Sequence, residues 1–256
     1  MKILKSGVLL LSLVLFVCNI SSAQDAQPTM FAVHTDNVKF GMMAQYEEAA
    51  KELKAHCDKH NVEGANWTAI SVEDGRYVYV TPIKSMADLD KNPMGNLGDK
   101  MGKEELGKLF DKMDDCYDSH SDSVVHYIPS LSHIPEGYST AGKNHREYHF
   151  LYYSPKHGKE MNTAMANVKK MFAEKGVKNG YEVYHSGFGS EESYYMVAIA
   201  GTDDLSVAQG GHDNDKLLGE DKDAVFWEVI KLATKYDQVE GTMRPDLSYT
   251  STVANN

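Results

Sequence analysis

Apolar and polar residues alternate along this chain in two long runs that predict the same elements in the same order. Met30 to Thr35 is a short, mostly apolar run ended by Asp36-Asn37, which reads as a strand and turn. Tyr46, Ala49, Ala50, Leu53 and Cys57 then recur at spacings of three and four with charged residues between them, the pattern of a helix with one buried stripe. Asn66 to Val72 and Arg76 to Thr81 are rich in β-branched and aromatic residues and flank Glu73-Asp74-Gly75. They predict a hairpin in which Gly75 supplies a positive φ and Pro82 ends the second strand. Ser85 to Lys100 reads as a short helical turn and a long loop. Leu106, Leu109, Phe110, Met113 and Tyr117 stripe a second helix, broken at His120 to Ser123 before a last strand, Val124 to Ile128.

The order then returns. Tyr148 to Tyr153 reads as a strand, Lys159 to Glu174 as a helix with Met161, Met165, Val168 and Phe172 inward, and Lys178-Asn179-Gly180 as a turn. Tyr181 to Phe188 and Tyr194 to Ala200 make a hairpin, Val225, Phe226, Val229, Ile230 and Ala233 stripe a helix, and Val239 to Met243 closes the sheet. Pro129-Ser130-Leu131-Ser132 recurs as Pro245-Asp246-Leu247-Ser248, 116 positions on, and the same offset pairs Lys54 with Lys170, Gly64 with Gly180 and Tyr79 with Tyr195. The chain therefore reads as α+β, with two tandem ferredoxin-like β-α-β-β-α-β repeats over 24–134 and 145–250, a linker at 135–144 and a tail at 251–256. Each four-stranded sheet carries its helices on one face and leaves the other bare. The bare faces are expected to pack sheet to sheet as a fused α+β barrel.

This element order resembles the dimeric α+β barrel superfamily, including NIPSNAP-like and antibiotic-biosynthesis-monooxygenase-like proteins, with both halves in one polypeptide. The resemblance rests on element order and duplication, because no family signature motif is present. It implies a barrel interior that holds small organic ligands in relatives, and haem in the branch that looks like the chlorite dismutases.

The first residues change the setting. Lys2 and Lys5 precede an apolar run from Val8 to Val17 and a small-residue site, Ser21-Ser22-Ala23, which together predict a signal peptide over 1–23 and an exported protein, periplasmic or secreted. The run is too short for a permanent membrane span, and Val17 before Cys18 argues against lipidation. The formal net charge is −11, and −13 once Lys2 and Lys5 are lost with the leader. A balance that acidic speaks against nucleic acid or an anionic membrane surface as partner. Pairing of exposed sheet edges leaves a homodimer open. Cys57 and Cys116 remain after cleavage; an oxidising compartment allows a disulfide, and a reduced core pair is the competing reading.

Candidate chemistry gathers in the second repeat, whose strands are rich in tyrosine. Glu147, His149, Leu151 and Tyr153 share one strand face, and Tyr181, Val183 and His185 share another. His149 and His185 are the candidate proton acceptors, and Tyr153, Tyr184 and Tyr195 the candidate ligand contacts, in a pocket for a small apolar or aromatic molecule. In the bland reading the tyrosines fill the core and neighbours satisfy the histidines. In the first repeat, His34 and Trp67 fall opposite Phe150 and Val183 at the common offset, which suits core positions. No metal site is expected: Asp88, Asp90 and Asn92 begin like a calcium loop that Pro93 spoils, Gly210 to Asp215 is a polar cluster without ligand spacing, and His56 and His60 read as surface residues. The sequence thus points to a cofactor-independent small-molecule-binding protein with oxygenase or isomerase chemistry. A haem-binding barrel and a filled structural module are the alternatives.

Overall fold

The computed structural model describes residues 29–251. The expected signal peptide, with Cys18, and residues 252–256 of the expected tail lie outside the described residues. Strand β1 (Met30–Val38), helix α1 (Met43–His60), strands β2 (Asn66–Val72) and β3 (Arg76–Ile83), short helix α2 (Leu97–Met101), helix α3 (Lys103–Asp114) and strand β4 (Tyr117–Tyr127) form the first half. Strand β5 (His145–Tyr153), helix α4 (Gly158–Glu174), strands β6 (Glu182–Ser186) and β7 (Tyr194–Gly201), helices α5 (Asp204–Leu218) and α6 (Asp221–Ile230), and strand β8 (Ala233–Met243) form the second. A two-residue strand β9 (Tyr249–Thr250) follows.

Every strand pair is antiparallel, in the order β3-β1-β4-β6-β7-β5-β8-β2, and β2 pairs back on β3. Eight strands therefore close into a barrel. The halves meet edge to edge through β4 with β6 and β2 with β8, so the ring consumes the strand edges that each half would otherwise expose. Inside, Tyr184 packs against Phe31 and Tyr127, and Tyr194 against Phe150 and Tyr152. Outside lie two helix layers, each over its own apolar core. Tyr46, Leu53, Cys57, Trp67, Tyr77 and Leu109 anchor the first, and Met161, Met165, Phe172, Val177, Tyr181 and Val183 the second.

The duplicated Pro-x-Leu-Ser stretches cross between the halves. Leu131, which follows the first half, is buried in the second core, and Leu247, which follows the second, is buried in the first. Trp67 Nε1 donates to the Leu247 carbonyl at 2.8 Å, fixing the crossing at a buried indole.

Several boundaries differ from the sequence reading. Residues 120–123 do not break a helix: α3 stops at Asp114, and Tyr117 and His120 to Ser123 belong to the eleven-residue β4. Their polar side chains concealed a strand whose partners are polar too, such as Asn37, which donates to Ser119 Oγ at 3.0 Å. Ala233 likewise opens β8 and is not on the α6 stripe, and β8 starts six residues before Val239. Pro82 lies within β3, opposite Phe31 and beyond Val80, where pairing with β2 has ended and no ladder donor is required. Gly210 to Asp215 lies inside α5, which starts at a capping box formed by Asp203 and Ser206. Asp88 is also a cap, accepting from the backbone N–H groups of Lys84 and Ser85. Gly75 has φ 92°, and a Cβ there would stand 2.9 Å from the Val38 carbonyl, so the expected hairpin turn does require glycine. Cys57 and Cys116 are free thiols, both buried in the first core.

Among the described residues no helix is long and apolar enough to cross a membrane.

Candidate functional site

Strand alternation places Glu147, His149 and Leu151 of β5 on the side that faces the helices, with Val197 and Ile199 of β7 beside them. In the first half Tyr46 of α1 reaches the sheet to contact Tyr77 and Tyr79. A cavity of about 770 Å³ lies between β5, β7 and β8 and the helices α4, α5 and α6, walled by Leu151, Met165, Val168, Phe172, Val197, Ile199, Phe226 and Val229. The 137–143 segment forms part of its wall through Tyr138 and Lys143. Gly180 lets that connection close over the cavity, since a Cβ there would meet the His133 carbonyl at 2.5 Å and the Tyr138 ring at 2.6 Å.

Lys143, Lys178, Asn179, Ser206 and Asn214 also line the cavity, and on its sheet wall three polar groups are connected. Nε2 of His149 lies 2.9 Å from Glu147 Oε1, and Nδ1 lies 2.6 Å from the Tyr236 hydroxyl. The Tyr236 ring stacks on the imidazole, and its hydroxyl also reaches Gln238 Oε1 at 3.0 Å. One phenol proton therefore sets the charge of the histidine. If it turns to Gln238, both ring nitrogens must donate and His149 is an imidazolium beside Glu147. If it turns to Nδ1, the imidazole is neutral and donates only to Glu147. Burial pushes the pKa of His149 below its ordinary value, outweighing the charge and hydrogen bond of Glu147, and so favours the neutral form. Tyr181, 6% exposed, also lines the cavity, and its buried hydroxyl has no hydrogen-bond partner. Such an orphaned donor is costly in a closed core and ready for a ligand's acceptor.

The five residues singled out from sequence are dispersed to three places. His149 lines the cavity. Tyr153, His185 and Tyr195 pack together at the edge of the second core, with the Tyr153 hydroxyl 2.6 Å from His185 Nε2, the two tyrosine rings stacked, and Asn162 donating to the Tyr195 hydroxyl at 3.1 Å. None of these three lines the cavity. Tyr184 points into the barrel and donates to Glu182. This cavity lies outside the barrel wall, under the helices. Glu147 was legible as a face partner of His149, whereas Tyr236 and Tyr181 were missed as functional groups. Tyr236 sits in the polar opening of β8, Ala-Thr-Lys-Tyr-Asp-Gln, where no apolar run signals a strand. The 116-residue offset misled in one place: it sets His34 against Phe150, yet His34 faces the helix side of its sheet and Phe150 the barrel interior.

Solved structures share this architecture. An anthrone oxidase-like protein superposes with a TM-score of 0.54 at 11% identity, over 85% of this chain and 92% of that one. The fold is that of the α+β barrels. A proposed monooxygenase of Fusobacterium nucleatum gives 0.52 at 11% identity over 84% and 91%, and a chlorite dismutase of Candidatus Nitrospira defluvii gives 0.51 at 9% over 86% and 93%. No protein-family model and no curated protein sequence matches the chain. At these identities the likeness is one of fold, and chemistry must be argued from the side chains.

Proposed function

We propose that the protein binds a planar, largely aromatic small molecule in the cavity under α4 to α6 and removes a proton from it, as a cofactor-independent oxygenase. The observation that carries this reading is the Glu147–His149–Tyr236 chain set beside Leu151, Val197 and Ile199 on the sheet wall of a cavity of about 770 Å³. Tyr236 delivers its hydroxyl proton to Nδ1 of His149 as it accepts one from the substrate. The imidazolium so formed is stabilised at Nε2 by Glu147. Tyr181 donates to a carbonyl on the substrate, where negative charge gathers as the proton leaves. The anthrone oxidase-like and monooxygenase structures that share the fold support a carbon acid next to a carbonyl as the substrate class.

For such a carbon acid the electrons balance with O2 as the only co-reactant. The carbanion left by proton removal adds to O2 and forms a C–O bond. The resulting hydroperoxide loses its remaining C–H proton, the O–O bond breaks, and a new C=O and one water are released. Isomerisation, the second chemistry that fits such a base, would return the proton to a neighbouring carbon with no uptake of O2.

The haem reading finds less support. His149 is the imidazole in the cavity wall, and a haem iron on Nε2 or Nδ1 would have to displace Glu147 or Tyr236, neither of which could share the iron once the macrocycle occupies its equatorial positions. The expected export to the periplasm or medium suits a scavenger or detoxifying role for an aerobic reaction of this kind. The test is O2 uptake with anthrone as substrate: one O2 consumed per anthraquinone formed by the wild type, and a rate lowered about 10²- to 10⁴-fold in His149→Gln. An unchanged rate in His149→Gln removes the proton-transfer role.

A further inference from the structure

The first half has a second constellation of ionisable groups that the proposed reaction does not use. Two His-x-Asp triplets, His34-Thr35-Asp36 on β1 and His120-Ser121-Asp122 on β4, run antiparallel. Across the ladder His34 is paired with Asp122 and Asp36 with His120. All four side chains therefore project from one face of two hydrogen-bonded strands, a rigid platform rather than a loop. One ligand atom from each of His34, Asp36 and His120 lies within 4.8 Å of the other two.

The surroundings of these atoms are arranged as ligands are. Asp36 is 2% exposed, a buried carboxylate, and Tyr46 of α1 donates to its Oδ2 at 2.5 Å, leaving Oδ1 facing the histidines. Nε2 of His34 stands 3.0 Å from that Oδ1, close to the roughly 3.3 Å between neighbouring ligands of an ion bound at about 2.0 Å. The other nitrogen of His34, Nδ1, lies 2.8 Å from Asp122, so a carboxylate fixes the ring from behind. The His34 and His120 rings are 5.4 Å apart, and His34 and Asp122 keep side-chain exposures of 39% and 74%. A cation can reach the site from solvent while its anionic ligand stays buried.

We propose that His34, Asp36 and His120 form a binding site for a divalent transition cation of the zinc type, with Tyr46 and Asp122 orienting the ligands and water completing the coordination. Two imidazoles and one carboxylate with open positions select a borderline ion over calcium or magnesium, which take oxygen ligands. Bound there, the ion would tie β1 to β4 at one end of the barrel and, through Tyr46, to α1.

The test is calorimetric titration of the folded, metal-stripped full chain with ZnCl2, and with MgCl2 in parallel. A His60→Ala background removes the stacked, half-buried pair His56 and His60, a competing zinc site on α1. In that background one zinc binds, magnesium does not, and Co²⁺ in place of zinc gives the visible absorption of a nitrogen- and oxygen-ligated ion. His120→Ala, a change at an exposed side chain, abolishes the site, and Asp122→Asn weakens it about tenfold to a hundredfold by releasing the ring of His34. Circular dichroism of the apo variants confirms that they are folded. Zinc affinity unchanged by His120→Ala, or magnesium binding as tight as zinc, overturns the proposal.

Discussion

Ser132 and Ser248 make the same hydrogen bonds in opposite halves of the molecule. Ser132 Oγ donates to the Ile128 carbonyl at 3.0 Å and accepts from Val183 N–H at 2.9 Å; Ser248 Oγ donates to the Arg244 carbonyl at 2.7 Å and accepts from Ala69 N–H at 2.9 Å. Each serine closes a turn at the end of one half and bonds a strand of the other just past the end of the ladder that joins the halves. Leu131 and Leu247 beside them carry the apolar part of the exchange.

Because each half completes the other's core, the two are expected to unfold together. Leu131→Ala and Leu247→Ala should each cost about 2–5 kcal/mol, the range for a buried leucine replaced without collapse of the cavity. Urea denaturation read by circular dichroism and by tryptophan fluorescence should give one coincident transition for the wild type and for both variants. Two separated transitions would show that the halves are independent.

Glu47 of α1 and Arg244, which follows β8, form a second tie between the halves. Arg244 donates to both oxygens of Glu47, the Nη2–Oε2 bond measuring 2.8 Å, and Tyr77 donates to Glu47 Oε1. The Arg244 hydrogen bond, with help from Tyr77, lowers the Glu47 pKa from 4.5 to about 2, against the opposing effect of burial. A folded-state pKa depressed in this way stabilises the protein fully above the unfolded value and loses its contribution as pH falls from about 4.5 through about 2. Acid titration of stability should therefore show a loss across that window that is smaller in Glu47→Gln than in the wild type by about 2 kcal/mol after solvent screening, with Asp246, also lowered by Arg244, contributing to the loss that remains.

Neutral His149 is the active form in the proposed reaction, and burial holds its pKa below the ordinary 6.5. The rate should stay level as pH falls through 7 and decline only below the usual histidine range. Glu147→Gln removes the charge that raises the His149 pKa, so it should shift the acid limb to still lower pH while reducing the maximal rate. Tyr236→Phe should reduce the rate without moving stability by more than about 1 kcal/mol.

Burial raises the pKa of both thiols, Cys57 to about 11. Iodoacetamide should leave them unmodified in the folded protein and label both once urea unfolds it, with an intact mass before labelling that equals the dithiol form. A mass two hydrogens lower would show a Cys57–Cys116 bond.

Much of the fold was legible because its elements are strongly periodic: the α1 stripe from Tyr46 to Cys57 is the buried face of that helix, and the Glu73-Asp74-Gly75 turn sits where the pattern placed it. The failures share one cause. The exposed residues of β4 answer polar partners on β1, and the start of β8 is polar although it pairs with Tyr152, Leu151 and Phe150 of β5, so neither carries an apolar alternation. Tyr236 was lost with the start of β8, and half of the proposed relay with it. The cavity was misplaced for a different reason. Alternation places Glu147 and His149 on one face of β5, but whether that face meets the barrel axis or the helices depends on the closure of all eight strands. Side-chain volume across two layers is not written in the spacing of either one.

The most direct measurement is a calorimetric titration with 2-naphthol, a planar apolar probe with one polar handle, on the wild type and on Val168→Trp, which fills the cavity from α4. The wild type should bind one molecule, Val168→Trp should lose at least about tenfold in affinity while melting cooperatively, and Tyr184→Phe, inside the barrel, should bind as the wild type does. Binding that survives Val168→Trp but fails in Tyr184→Phe would contradict the account and move the ligand into the barrel.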